Sequence, residues 1–220
     1  MLQNLYLRKA GIALASFIFL LAGSVMTAHA DTFVVVGNSN PTATATINIT
    51  SLTNSQLVFT VTNTSGGVVT GVGFDVPGAN AFTGSVGAQP AGQNFSFVTS
   101  AGNVPQFNSA NLDFAFVTHV NNNGTGNFAG GNPPTGIQPG ATSATFTVNG
   151  DFTGFTQQQI ADAIYVRFQS LNTNPDSDVG HGGTCTNCGQ VPEPTTMVLL
   201  GTGLAGLAAK VRKRRKATQE

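Results

Sequence analysis

The sequence predicts an all-β fold: an antiparallel two-sheet sandwich, of jelly-roll or immunoglobulin-like winding, with one short helix. A signal helix is expected before it and a transmembrane helix after it. Three observations carry this reading. About eight short runs alternate apolar and polar residues with period two, the pattern of half-buried strands. Thr and Asn fill the polar positions of those runs, with Gly between them. Charge is sparse and displaced, since eight of the nine Lys and Arg lie within the first nine or last eleven residues.

At the N-terminus, Arg8 and Lys9 precede an apolar run over residues 11–23, and Thr27-Ala28-His29-Ala30 follows it. A basic start, a short apolar core and an A-x-A site make a secretory signal peptide. Signal peptidase is expected to read Ala28 and Ala30 and to cut after Ala30, which leaves Asp31 first. The alternative is an uncleaved anchor, but the apolar core is short for a span of about 20 residues.

Residues 31–175 suffice for one sandwich domain. Ala43, Ala45, Ile47 and Ile49 alternate with Thr44, Thr46 and Asn48, and Leu57, Phe59 and Val61 alternate with Val58 and Thr60. Further strands centre on Val72/Phe74/Val76, Phe95/Phe97, Leu112/Phe114/Phe116, Phe146/Val148 and Ile164/Val166/Phe168. Asn63-Thr-Ser-Gly-Gly67 is a turn between two of them. The loops around Asn121-Asn-Asn-Gly124 and Gly130-Gly-Asn-Pro-Pro134 are polar. They suit either a solvated connection or a binding edge.

One helix is expected from Thr156, with Gln159 completing a capping box, and it runs into the strand at residues 164–170. Arg167 is the only basic residue between Asp31 and Gln190, against seven Asp and no Glu, a net charge of −6. Such a body lacks the surface cations that neutralise phosphates, so nucleic acid is excluded as a partner. With Ile164, Val166 and Phe168 inward, Arg167 should face outward. The simpler role is a structural ion pair at the surface with Asp75 or Asp151. The sharper one is a buried fork that bridges two loops or takes a ligand carboxylate.

Few residues suggest chemistry. The Asp residues are scattered, and a glycosidase needs two carboxylates facing each other across a bond. His119 and His181 are the only candidates for a base in Ser–His–Asp catalysis. His119 precedes a loop and His181 lies in a Gly-rich stretch, so the expectation is no enzyme and no catalytic residue. Cys185-Thr-Asn-Cys188 lies in a stretch, 176–190, read as a linker. A local disulfide is the default outside the membrane, with free or intermolecular thiols and a metal as alternatives. No resident metal or cofactor is expected. Asn172, Asn174, Asp176 and Asp178 place oxygens at alternate positions. They suit calcium or an ordinary polar linker, and no closing Glu makes an EF-hand.

The tail, residues 191–216, has three parts: Val191-Pro192-Glu193-Pro194, an apolar stretch over 195–209, and Lys210-Val-Arg-Lys-Arg-Arg-Lys216. As a helix the apolar part is about 22 Å long against a hydrocarbon core of about 30 Å. Flanking residues can cover part of the gap, and the basic end belongs on the cytoplasmic side. Gly201-Thr-Gly203-Leu-Ala-Gly206 matches a dinucleotide-binding pattern. Only 14 residues follow it, too few for that fold, so the glycines read instead as helix-packing positions.

This order of motif, short span and Arg-rich end resembles the PEP-CTERM sorting signal of bacterial exported proteins. The resemblance implies recognition of Pro192, Glu193 and Pro194 by exosortase, an integral-membrane cysteine transpeptidase that cuts near the motif. Two prolines keep that segment extended and outside the helix, which suits a protease-like groove. More weakly, Val61-Thr-Asn-Thr64, Gly73-Phe-Asp75, Ala144-Thr-Phe-Thr-Val148, Asp151-Phe-Thr-Gly-Phe155 and Val166-Arg-Phe-Gln169 are similar to the bodies of many such proteins.

The expectation is therefore an exported cell-surface or extracellular-matrix structural protein. It would be membrane-associated as a precursor, through residues 195–209, and would reside in extracellular polysaccharide by family resemblance. The alternatives are a glycan- or calcium-binding module and, behind it, a secreted hydrolase.

Overall fold

The computed structural model describes residues 31–188, apart from 79, 80, 88, 141, 173 and 187, together with residue 202. The chain divides into two units. Residues 30–188 form one. Residues 1–29 and 189–220 form the other, and it lies outside the described residues except for residue 202. The signal-peptide positions Ala28 and Ala30, the motif Pro192-Glu193-Pro194 and, apart from residue 202, the span at 195–209 are therefore outside them. Among the described residues no helix is long and apolar enough to cross a membrane.

The body is a two-sheet antiparallel sandwich with one short α-helix. In sheet order, the first sheet contains β11 (Thr184–Cys185), β1 (Asp31–Val36), β2 (Thr44–Leu52), β3 (Gln56–Asn63), β8 (Ser143–Asn149) and β5 (Thr83–Val86). The second contains β10 (Asp178–His181), β9 (Ile164–Gln169), β4 (Val68–Phe74), β7 (Phe114–Val117) and β6 (Ser96–Val98). From β3 to β6 and again from β7 to β9, each link crosses between the sheets, while β6 and β7 pair as neighbours. This is jelly-roll winding, and it resolves the alternative left open by the sequence.

The alternation works as expected. Along β2 and β3, Ala45, Ile47, Ile49, Leu57, Phe59 and Val61 are buried, and Thr side chains point out. Thr60 and Thr145 oxygens meet across the outer face at 2.9 Å, one of the cross-strand pairs that hold sheet register. Inside, phenylalanines bridge the sheets. Phe59 meets Phe74 edge-on at 5.1 Å between ring centres, and Phe116 lies 4.5 Å from Phe146. Such aromatic pairs add about 0.5–1.5 kcal/mol each beyond burial. The helix α1 (Gln157–Asp162) starts at the expected capping box: Gln159 N donates to Thr156 Oγ1, and Thr156 N donates to Gln159 Oε1.

Two expectations are corrected. Within the stretch read as a linker, residues 178–181 and 184–185 are strands. β10 pairs with β9 over four residue positions, and β11 pairs with β1. Runs of four and two residues are too short to show a period. The outer face of the second sheet is also not solvated. The chain between β6 and β7 and the segment after β7 fold over it. Val104, Leu112, Phe128, Tyr165 and Val179 make a second buried cluster there, flanked by Phe107. Phe128 sits so close to β4 that a Cβ at Gly71 would lie 3.0 Å from its ring. The loop at 121–126 is a closed turn, with Asn121 N donating to Thr125 O and Gly124 N to Asn121 O.

Candidate functional site

That covering layer decides the fate of Arg167. Its side chain points away from the main core, as the alternation requires, yet it is only 6% exposed. Nη1 donates to the Asp178 carbonyl at 3.3 Å, and Nη2 donates to the Ala129 carbonyl and to Ser177 Oγ, each at 3.2 Å. The surface ion pair with Asp75 or Asp151 is thus replaced by a buried fork joining the covering segment to β10. Burial pulls the guanidinium below its ordinary range, and the nearby Asp178 charge opposes that pull.

Asp178 is fully buried. Its Oδ2 accepts from Ser39 N at 2.9 Å and Asn40 N at 2.7 Å, and its Oδ1 accepts from Val179 N at 2.9 Å. A side chain at Gly37 would collide with this carboxylate, which explains the glycine. Asp178 therefore staples the β1–β2 loop to β10. Of the four oxygen residues read as a calcium loop, Asn172 and Asp176 meet through Asn172 N and Asp176 Oδ1 at 3.3 Å. Asn174 is exposed beside them, while Asp178 is turned inward to backbone amides.

An open groove of roughly 400 Å³ lies at the other end of β10. Asp75, Pro77, Phe155, Gln159, Asp162, Tyr165 and His181 line it. β9 and β10 place Tyr165 and His181 opposite each other in register, and their rings stack at 4.2 Å. Phe107 of the covering layer packs against both. Burial pushes His181 below the usual imidazole range, opposed by the Asp75 and Asp162 charges and by a bond to the Asp162 backbone. Burial also raises the Tyr165 hydroxyl, with the Asp75 charge adding to it. Nearby, burial raises Asp113, while the Val76 amide it accepts at 2.6 Å works the other way. The arrangement offers one aromatic face beside two carboxylates. Sequence reading missed it because Asp75, Tyr165 and His181 are far apart along the chain. His119 is distant from this groove in the fold's order. It is exposed at the end of β7, with its carbonyl accepting from Asn127 N at 2.9 Å.

The chain ends of the body meet at one edge. Phe33 faces Cys185 and Val34 faces Thr184 across the β1–β11 ladder. Thr186 N donates to Thr32 O at 3.0 Å, one step further along. Cys185 and Cys188 form a disulfide with Cα atoms 5.8 Å apart. Asp31 N donates to Gln157 Oε1 at 3.3 Å.

A sandwich whose last strand leads straight into a motif, an apolar stretch and a basic end is the body of an exported, tail-sorted protein. Residues 190–215 match the family model described as the PEP-CTERM protein-sorting motif. The chain carries the PEP-CTERM sorting motif, which supports sorting by exosortase to the cell exterior. The match covers the tail alone. No curated protein and no solved structure matches the chain.

Proposed function

We propose that the processed body is a non-enzymatic structural component of the cell surface or of an extracellular polysaccharide matrix. The observation that carries this is the sorting motif at 190–215, joined within a few residues to a closed sandwich. Two features support it. The body is acidic and presents Thr and Asn on the outer face of its first sheet, a surface suited to a hydrated polymer layer. The described residues of β1 run from Asp31 to Val36, so cleavage after Ala30 removes none of them. The precursor is held in the membrane through residues 195–209 until exosortase acts.

The test is the intact mass of protein recovered from the medium and the envelope of the native host. A species running from Asp31 to the neighbourhood of Pro192–Pro194 supports this reading, and any added mass identifies an attached group. A species retaining Lys210–Lys216 makes the tail a plain anchor and removes the reading's main support.

A second reading, an extracellular glycan-binding module, is favoured by the groove at Tyr165 and His181. A sugar ring can stack on the aromatic face while Asp75 and Asp162 accept its hydroxyls. A melting temperature that rises with an oligosaccharide in wild type but not in His181→Ala supports it. A flat response across neutral and amino-sugar oligosaccharides rejects it.

A further inference from the structure

We propose that one pole of the sandwich is a docking face for the outer surface of the sorting transpeptidase. This rests on the sorting reading above and goes beyond it. The argument begins with length. β11 ends at Cys185, Thr186 is still bonded to Thr32, and the disulfide holds the chain to Cys188. Only Gly189, Gln190 and Val191 stand between Cys188 and Pro192. Four residue steps reach at most about 14 Å when fully extended. An enzyme that grips Pro192-Glu193-Pro194 must therefore lie against the body from which that tether emerges.

The face it meets is defined by strand register. β1 and β2 are antiparallel with Asp31 opposite Ile49, so the turn at residues 53–55 projects past the end where Asp31 and Thr186 lie. β3 and β8 are antiparallel with Gln56 opposite Asn149, which brings residues 150–152 to the same end. There Gly150 N donates to Ser55 O and Phe152 N to Asn54 O. Gln157 at the start of α1 joins through Asp31. Pro41, in the β1–β2 loop, lies at the opposite pole.

The chemistry favours a protein occupant over lipid. Thr53, Asn54, Ser55, Thr153 and Thr156 present uncharged hydrogen-bonding groups. Asp151 supplies a negative charge. Anionic lipid attracts basic segments, and the body's only basic residue, Arg167, is buried. A polar surface that needs no counter-charge suits a transient protein contact.

The test uses the full chain in its native host, with a photo-crosslinking amino acid at Asn54 or, in a second strain, at Pro41. Asn54 should give an adduct to a membrane protein of transpeptidase type, at least about five times stronger than Pro41. Inserting ten Gly/Ser residues after Gly189 should remove that adduct while the tail is still cut. Equal adducts at both positions, an adduct to lipid alone, or an adduct that survives the insertion overturns the proposal. No adduct from Asn54 in a chain that is processed normally does the same. Glu193→Ala separates the two claims. If the wild-type tail is cut and that variant's is not, the sorting reading stands whatever the crosslinks show. If both tails stay intact, the sorting reading itself has failed.

Discussion

Asp178 shows how much one side chain can hold in this molecule. It lies in a stretch whose spacing suits a cation loop, yet its carboxylate accepts three backbone amides and none of its charge reaches solvent. Asp178→Ala strands those amides in a buried site. It should lower stability by at least about 3 kcal/mol, and Asp178→Asn by about half as much. Urea midpoints at unchanged slope would check this. A loss below about 1 kcal/mol for the alanine variant would contradict the stapling role. Arg167 carries the same lesson. The alternation correctly sent it away from the main core, but nothing local in the sequence announces that Phe128 and Ala129 will cover it.

His181 gives a pH dependence whose sign follows from its surroundings. Burial holds its pKa below the unfolded value of about 6.5, so the unfolded chain binds more protons in the interval just beneath that value. Its contribution to stability is present above that value and is lost as the pH falls through the interval. Wild type should therefore gain more stability than His181→Gln between pH 5 and pH 7. An NMR titration of the ring should show a midpoint below that of an unfolded-chain histidine. Parallel stability curves for the two proteins would refute the effect.

At the scale of elements, long runs with a clear period were readable and short ones were not. β2, β3, β8 and β9 alternate over six to nine residues, and α1 announces itself through its capping box. β10 and β11 are too brief to carry a period. They are defined by partners 150 residues away or by a hairpin with β9. The groove was illegible for the same reason, since it is assembled from the segment after β4, the start and body of α1, β9 and β10. The disulfide fixes the weakest of these elements. Replacing both Cys185 and Cys188 by Ser should cost about 2 kcal/mol by the entropy of so small a loop. Hydrogen exchange should quicken at Thr184 and Thr186, with the centre of β3 unchanged. Uniform acceleration across the sheet would show that β11 is not an independent element.

For the whole molecule, the class of fold, the acidic body and the C-terminal sorting motif were legible in the sequence. It left the winding open, because jelly-roll and immunoglobulin-like sandwiches share the same alternation. Only pairing order, with β9-β4-β7 in one sheet and β3-β8-β5 in the other, separates them. That order sets most contacts between distant parts of the chain, a topology that folds slowly among domains of its size.

The pairing of the first strand with the last has a further consequence during synthesis. β1 cannot be covered on its outer side until residues 184–185 have been made and exported. A chain that stops at residue 177 leaves β1 as an open rim of unpaired N–H and C=O groups, the template on which edge-to-edge aggregation starts. It should form thioflavin-binding oligomers, whereas a chain ending at Gln190 should stay monomeric by light scattering. The final strand thus acts as a check on completeness. A truncated chain exposes that rim, while one that reaches residue 185 covers the middle of β1.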